Sequence, residues 1–185
     1  MSSLVRTILP HGGGGESDDT ASPLIATSFC AAMRSIAASV TIISARDEAR
    51  APHGMAASAV ISVSMEPPSM LIAVNRSASI HPIVEETKLF CVNVLASGQT
   101  DIVSRFSRSE LRDQRFASDD WERGFEGLPY LTSARCAVFC TTEAAISYGT
   151  HTLYVGRVSE VIAGVVGTPL LWFDGGQAEV HRRPA

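Results

Sequence analysis

Short apolar segments rich in β-branched residues recur along most of the chain, and turn residues separate them. Segments of this length and composition are typical of β-strands. We predict strands in VTIISAR (40–46), GMAASAVISVSMEPP (54–68), SMLIAVN (69–75), LFCVNVL (89–95), ARCAVFCTTEAAISYG (134–149), HTLYVGRVSEVIAG (151–164) and TPLLWFDGG (168–176). The two longest segments predict a hairpin about Tyr148, Gly149 and Thr150.

Helical spacing of apolar residues is confined to short stretches between these strands. We predict helices in SFCAAMRSIAASV (28–40), with Ser28 as N-cap, in IHPIVEETK (80–88) and in SGQTDIVSRFSR (97–108). Residues 107–127 are the most charged segment and are predicted to form a surface helix and loop. At least six strands with few repeating strand–helix units favour a β-barrel with helical insertions over a doubly wound parallel sheet.

The composition argues against two kinds of partner. Charged residues make up only 18% of the chain and the net charge is -4, so general nucleic-acid binding is not expected. No run approaches the ~20 apolar residues that a membrane helix needs. The low charge content also indicates apolar surface that a partner covers, such as a second copy of the chain.

We predict one folded domain over residues 25–178, preceded by a disordered segment (1–24) and followed by a tail (179–185). The glycines of HGGGGESDDTAS (11–22) do not form a phosphate loop, because no strand precedes them and no G-K-[ST] follows. The sequence contains four cysteines, Cys30, Cys91, Cys136 and Cys140. They form no C-x-x-C pair and three lie in apolar runs, so we expect reduced thiols, no metal and, without a secretory signal, a cytoplasmic location.

The segment VNRSASIH (74–81) is rich in hydrogen-bond donors and has no carboxylate. It follows a predicted buried strand and leads into a predicted helix, so its hydroxyls, guanidinium and backbone N–H groups could bind one phosphate. Arg76, Ser77 and Ser79 are the expected donors. An ordinary solvated turn, with Asn75 and Ser77 capping the helix, explains the same residues and is the more frequent case for one such segment alone.

Two further stretches also allow either a ligand-binding or a purely structural interpretation. Small residues from Gly54 to Ala59 would let a flat ligand approach the backbone, or would pack tightly against a helix or a second subunit. His151, between Thr150 and Thr152, could orient a ligand or move a proton, or could be a turn histidine bonded to the backbone. The chain lacks the G-x-S-x-G motif of serine hydrolases and the G-x-G-x-x-G motif of Rossmann folds.

Taken in order, several segments resemble the flavin reductase family, the small reductase components of two-component flavin-dependent monooxygenases. The matching pieces are GMAASAVISVSMEPPSMLIAVNRSASIH (54–81), FCVNVLASGQTDIVSRF (90–106), Arg115, Phe116, Trp121, GTHTLYVGRV (149–158) and PLLWFDG (169–175). The resemblance covers about residues 29 to 175. It implies a mainly β fold with helical insertions, an FMN-binding split β-barrel, which dimerises with the flavin near the subunit interface.

The resemblance also implies which residues bind the cofactors. The implied flavin-binding residues are Met55, Ala56, Ala57, Ser58, Asn75, Arg76, Ser77, Ser79, Arg105 and Phe106. Residues 55–58 would hold the ring, residues 75–79 the ribityl chain and phosphate, and Arg105 and Phe106 would flank the flavin. His151, the implied catalytic residue, would lie beside the nicotinamide.

Two positions depart from the family pattern. The first strand commonly reads G-M-T-A-S-S, and here Ala56 and Ala59 replace the threonine and the second serine. Two hydroxyls are therefore missing, and ring contacts should use backbone amides. Asp174 stands where the family often has an arginine after the last aromatic residue, so a role for that position does not carry over.

The implied reaction is hydride transfer from the nicotinamide C4 of NADH, or less often NADPH, to N5 of FMN or FAD. The reduced flavin would then pass to a separate monooxygenase. NADH is favoured, because no basic cluster beyond Arg76 is evident for a 2′-phosphate. His151 is expected to position the nicotinamide, with proton transfer as a second role. The alternatives are a non-catalytic flavin carrier or sensor on the same barrel, and an interaction module without a ligand.

Overall fold

The computed structural model describes residues 22–178 and residue 180. The chain divides into two units, Met1–Met33 and Arg34–Ala185. In the first unit the described residues form most of helix α1, Pro23–Arg34, whose side chains are not buried. The predicted disordered segment (1–24) and the predicted tail (179–185) lie almost entirely outside the described residues.

The second unit is mainly β, which confirms the predicted class. Its described strands are β1 Ala38–Ser39, β2 Thr41–Arg46, β3 Pro52–Ala57, β4 Val60–Met65, β5 Pro68–Asn75, β6 Leu89–Val94, β7 Trp121–Arg123, β8 Pro129–Leu131, β9 Cys136–Tyr148, β10 His151–Ala163, β11 Leu171–Phe173 and β12 Gly176–Ala178. Its helices are α2 His81–Thr87 and α3 Thr100–Ser107, and 3-10 turns span Ser109–Gln114 and Phe125–Gly127. Among the described helices, none is long and apolar enough to cross a membrane.

Seven of these strands form one antiparallel sheet in the order β3-β2-β6-β9-β10-β5-β4. The two edge strands, β3 and β4, are consecutive in the chain, and only Ser58 and Ala59 separate them. The backbone N–H of Ala73 in β5 donates to the carbonyl of Ala59 at 3.1 Å, so the connection stays close to the far edge of the sheet. Smaller sheets pair β1 and β12 with β11, and β7 with β8.

Three sequence predictions are corrected by these boundaries. The single strand predicted over 54–68 is two strands, because the chain turns at Ser58 and Ala59, where the sequence carries no glycine or proline. The first helix begins at Pro23 rather than after Ser28, because proline suits the first helical turn. It ends at Arg34. The charged segment 107–127, predicted as a surface helix and loop, contains two 3-10 turns and the short strand β7.

Strand β2 lies in the middle of the core and is buried on both faces. Ile43 packs with Ile72, Phe90 and Tyr154 in one apolar cluster. Ile42 packs with Leu95, Phe106 and Leu131 in another. A strand buried on both faces reads as a continuous apolar run, which explains why VTIISAR shows no polar alternation.

A buried asparagine connects β2, β6 and β8. The side-chain amide of Asn93 donates to the carbonyl of Ile42 and to the Ser44 hydroxyl, both at 3.0 Å. Its side-chain oxygen accepts the backbone N–H of Leu131 at 2.8 Å. Because a buried amide must satisfy all of its polar groups, this network fixes the position of β8 against the main sheet.

Two of the three cysteines predicted to be buried are fully buried. Cys91 and Cys140 have no exposed surface, whereas Cys136 is partly buried and Cys30 is exposed, and all four are free thiols. Burial raises the pKa of Cys140 to about 12 and raises the pKa of Cys91 as well. These two thiols therefore behave as small apolar side chains.

Candidate functional site

Edge strand β3 forms one wall of the candidate site. The backbone groups of alternate residues in a strand point to opposite sides, and only one side of β3 pairs with β2. The Gly54 carbonyl accepts a hydrogen bond from Arg115 at 3.0 Å, so Gly54 faces away from β2. Ala56 shares that orientation, and its N–H and C=O are available to a ligand along this edge.

Three adjoining hollows follow this edge, and each takes its name here from its lining. The alanine hollow, about 210 Å³, is lined by Val40, Ala56, Ala57, Ser58, Val103, Ser107 and Trp172. The serine hollow, about 240 Å³, is lined by Gly54, Met55, Ser77, Ala78, Ser79, Ile80, Phe106, Ser107, Ser109, Arg112 and Arg115. The His53 hollow, about 390 Å³, is lined by Pro52, His53, Gly54, Ser79, Arg112, Asp113, Arg115, Phe116 and Ala117.

Shared lining residues make these hollows neighbours along the edge of β3, and together they are called the groove. Ser107 lines both the alanine and serine hollows. Gly54, Ser79, Arg112 and Arg115 line both the serine and His53 hollows. The alanine hollow therefore lies at the C-terminal end of β3, the serine hollow follows it, and the His53 hollow lies at the N-terminal end.

Gly54 is required at the middle of the groove because aromatic rings lie against its Cα. A Cβ at this position would lie 2.6 Å from Cε1 of Phe106 and 3.1 Å from Cζ of Phe116. The Phe106 ring cannot move aside easily, since Phe116 and Trp121 pack against it with centroid separations of 5.1 and 5.5 Å. These three rings form a rigid apolar wall beside the edge strand.

Arg115 joins that wall to the edge strand. Its guanidinium donates to the carbonyls of Gly54 at 3.0 Å, Arg105 at 3.2 Å and Arg108 at 3.4 Å, and lies 5.7 Å from the Phe106 ring centroid. Burial, and then the charge of Arg112, lower the pKa of Arg115. Arginine keeps its proton at neutral pH in spite of this, so a fixed positive charge lies at the junction of two hollows.

The donor-rich turn after β5 divides its residues between structure and groove. The Asn75 side-chain oxygen accepts the N–H of Ser77 at 2.9 Å and the Ser77 hydroxyl at 2.8 Å, so Asn75 shapes the turn. The Arg76 guanidinium donates to the Gly149 carbonyl and holds the β9–β10 hairpin. Ser77 and Ser79 are exposed and line the serine hollow. The Ser77 hydroxyl proton is donated to Asn75, so Ser77 would have to give up that bond to donate to a ligand.

Two histidines lie near this turn. His151 is directly opposite Asn75 in the β10–β5 pairing, and its Nδ1 lies 2.9 Å from the Thr150 hydroxyl. His81 Nε2 lies 2.9 Å from the Thr152 hydroxyl. The sequence prediction singled out His151 but assigned no role to His81.

Tyr154, whose ring centroid lies 5.9 Å from that of His81, keeps its hydroxyl proton at neutral pH. It is fully buried, and its hydroxyl donates to Glu85 at 2.8 Å. Burial first, and the bond to Glu85 second, raise the pKa of Tyr154 strongly. The same bond lowers the pKa of Glu85, so this pair stays in one protonation state across the neutral range.

The fold agrees with comparisons to known proteins. The sequence matches the family model described as a flavin reductase like domain over residues 33–181. The chain belongs to this family.

Known proteins are similar to this chain over most of their length. The FMN reductase (NADH) RutF of Klebsiella pneumoniae is 38% identical over 155 residues, which cover 84% of this chain and 94% of the relative. The reductase component of an FADH(2)-dependent resorcinol hydroxylase of Rhizobium sp. is 36% identical over 149 residues, covering 80% and 83%. The crystal structure of a flavin reductase domain protein from Arthrobacter sp. FB24 superposes with a TM-score of 0.79 at 28% identity, covering 86% and 98%.

The structure brings together most of the residues that the family resemblance implied. Met55, Ser77, Ser79 and Phe106 meet in the serine hollow, and Ala56, Ala57 and Ser58 line the alanine hollow. Four implied residues line none of the three hollows, namely Asn75, Arg76, Arg105 and His151. Arg105 instead pairs with Asp101 along α3 at 2.9 Å. Their contacts with a cofactor stay predictions.

Several residues of this groove were missed in the sequence analysis. These are His53, Ser107, Ser109, Arg112 and Arg115. Arg115 is one of the residues that match the family, but no role was predicted for it. Arg112 lies in a segment that was predicted to be surface helix and loop. The available signal was the pair of arginines three residues apart beside Phe116, in a segment that follows the predicted site helix.

We expect Arg115→Lys to loosen the groove, because one ammonium cannot reach three separate carbonyls. The variant should lose about 1–3 kcal/mol of unfolding free energy and bind FMN more weakly. Urea denaturation and titration of flavin fluorescence measure the two effects. Arg108→Lys, whose side chain makes none of these bonds, is the control. A variant that matches the wild type in both measurements would contradict this role.

Proposed function

We propose that this protein is an NADH-dependent flavin reductase, which reduces FMN or FAD and supplies the reduced flavin to a separate monooxygenase. The observation that carries the proposal is the groove along β3, with small residues at one end and hydroxyls and arginines next to it, in a chain of the flavin reductase family. Two relatives support the two halves of the reaction, since one is named an NADH-dependent FMN reductase and the other a hydroxylase's reductase component.

The flavin ring fits the alanine hollow. Ala56 and Ala57 present little side-chain bulk, so a flat ring can lie close to the edge of β3. The outward N–H of Ala56 is a fixed donor for ring oxygen or nitrogen atoms. Such a backbone donor stabilises negative charge on the reduced ring without reorganisation, and it does the work of the hydroxyls that this sequence lacks.

The ribityl phosphate fits the serine hollow. Ser79 offers a hydroxyl, and Ser77 would offer one by exchanging its bond to Asn75 for one to the phosphate. Arg112 and Arg115 offer positive charge, while no carboxylate lines this hollow. Phe106 forms the apolar side and excludes water from the space between ring and phosphate. Arg112 therefore joins Ser77 and Ser79 as a proposed phosphate ligand.

The cofactors supply the redox chemistry when bound, because nicotinamide C4 gives a hydride to flavin N5. The chain has to hold the two rings in contact and needs no side-chain acid or base. We assign His151 to orienting the nicotinamide because the family resemblance implies it. His151 pairs opposite Asn75, beside the turn that carries Ser77, and lines none of the three hollows.

A split β-barrel and a homodimer complete the proposal. The two edges of the main sheet are joined by Ser58 and Ala59 alone, which favours a sheet that curls toward closure. Edge strand β4 exposes Ile61, Val63 and Met65 at 60%, 50% and 78% of their surface. An exposed apolar edge of this kind needs a cover, and a second copy of the chain provides one. Reduced thiols at Cys91 and Cys140 fit a cytoplasmic location.

The deciding experiment is NADH oxidation by the purified protein with no flavin, with FMN and with FAD. We expect oxidation only when a flavin is supplied, and faster oxidation with NADH than with NADPH. Flavin binding without NADH turnover would support the carrier or sensor instead. Absence of both binding and turnover would contradict the whole assignment.

Replacement of His151 by alanine tests its assignment. We expect kcat/KM for NADH to fall about tenfold, about 1.4 kcal/mol of transition-state binding, with FMN affinity unchanged. Tyr148→Ala changes the residue opposite His151 in the hairpin without removing an imidazole, and serves as the control. An unchanged rate for the His151 variant would remove it from the site.

A charge on the β4 edge tests the dimer. We expect the wild type to have twice the chain mass by light scattering, and Ile61→Glu to shift it toward monomer, because an unpaired carboxylate is costly to bury. Ser159→Glu, at an exposed position of β10, should leave the mass unchanged. A monomeric wild type at micromolar concentration would refute the homodimer.

A further inference from the structure

Trp172 is the one aromatic residue among the described residues that line the alanine hollow, where the proposed function places the flavin ring. It belongs to β11, and the other six lining residues are alanines, valines and serines. An aromatic side chain buries about 150–250 Å² when it is covered, and two aromatic rings in contact gain a further favourable interaction. Trp172 is therefore the side chain with the most contact to offer a flat ligand in this hollow.

Backbone hydrogen bonds fix the segment that carries Trp172 beside the hollow. The N–H of Val40 donates to the Leu170 carbonyl at 2.9 Å, and the N–H of Leu170 donates to the Leu95 carbonyl at 3.0 Å. All three of these residues are buried, so the bonds are shielded from water. Two residues after Leu170, Trp172 pairs with Ala38 of β1. The indole is thus carried by a strand that is anchored to Val40, which itself lines the hollow.

The indole of Trp172, in contrast to its backbone, is left uncovered. It is 44% exposed. The other tryptophan of the chain, Trp121, packs against the rings of Phe106 and Phe116 at centroid distances of 5.5 and 4.8 Å. Within residues 22–178, no aromatic ring packs against Trp172. Its ring face is therefore available to a ligand that enters the alanine hollow.

The neighbouring Phe173 shows that exposure alone does not carry the inference. Phe173 is 46% exposed, yet it lines none of the three hollows. Successive side chains of a strand point to opposite faces, so only Trp172 of this pair meets the hollow. Phe173 therefore offers a matched control on the same strand, with nearly the same exposure and without contact with the site.

We propose that the indole of Trp172 packs against the isoalloxazine ring in the alanine hollow and sets how long the flavin stays bound. The inference rests on the proposed function, because it needs the flavin ring in that hollow. Contacts of this kind act at short range, so they slow dissociation and change association little. The backbone donors of β3 then determine where the ring lies, and Trp172 determines when it leaves. The timing of release matters for a reductase that passes its product to another protein.

Trp172→Ala in the full chain tests the proposal by stopped-flow measurement of flavin binding. We expect koff to rise about tenfold for FMN and for FAD alike, because they share the ring, while kon and the KM for NADH at saturating flavin change less than about twofold. Trp172→Phe keeps a smaller ring and should raise koff about threefold. Phe173→Ala should leave all of these values unchanged.

Emission from the bound flavin gives a readout that a merely structural role of Trp172 would not move. An indole in contact with a photoexcited flavin quenches its emission. We expect FMN bound to the wild type to be weakly fluorescent, and FMN bound to Trp172→Ala or Trp172→Phe to be several times brighter at the same occupancy. Phe173→Ala should remain as weakly fluorescent as the wild type.

Three other outcomes overturn the assignment. Dissociation and emission equal to those of the wild type would show that Trp172 does not touch the ring. Faster dissociation with equally weak emission would mean that Trp172 only shapes the hollow. A lower mass by light scattering, with unchanged dissociation, would assign the indole to the contact between two copies of the chain. If Trp172→Ala lowers the melting temperature, Trp172→Phe is judged by the same criteria. A wild type that binds no flavin contradicts the proposed function itself, whereas a wild type that binds FMN and leaves it brightly fluorescent contradicts only the role of Trp172.

Discussion

The bonds of Arg115 to three carbonyls are the interaction on which the groove depends. The carbonyls belong to β3, to helix α3 and to the residue after that helix, so one guanidinium joins segments that are far apart in the chain. A guanidinium suits this task because its donors lie on three separate nitrogen atoms in one rigid plane, and here each nitrogen serves a different carbonyl. The result is that an edge strand, which would otherwise offer its free backbone groups to any other strand, lies beside an aromatic wall and faces a defined space.

Backbone groups and side chains have separate tasks in this groove. Along the alanine hollow the chain offers its main chain and almost no side-chain bulk, and at the serine hollow it offers hydroxyls and guanidinium groups. The first arrangement suits a flat, weakly polar ring, and the second suits a phosphate. Because the redox chemistry belongs to the cofactors, the protein contributes shape and fixed charge rather than a reactive side chain.

The sequence predicted the parts of the fold that rest on local pattern. Strands β2, β5 and β6 and the β9–β10 hairpin follow from β-branched runs and turn residues, and the structure confirms them. The break between β3 and β4 was missed because Ser58 and Ala59 carry no turn signal. Arg112 and Arg115 were missed for a different reason. The role of Arg115 depends on a bond to Gly54 in β3 across 61 residues of chain, which no local pattern records. Arg112 lines the groove because the same charged segment folds back beside β3.

Burial of Cys91 and Cys140 has a chemical consequence for a protein that releases reduced flavin. Free reduced flavin gives two electrons to dioxygen and forms hydrogen peroxide, and peroxide attacks thiolates rather than thiols. Cys91 and Cys140 lie in β6 and β9, without exposed surface and with raised pKa values. These two sulfur atoms are therefore both protonated and out of reach, so they resist oxidation by a by-product of the protein's own turnover.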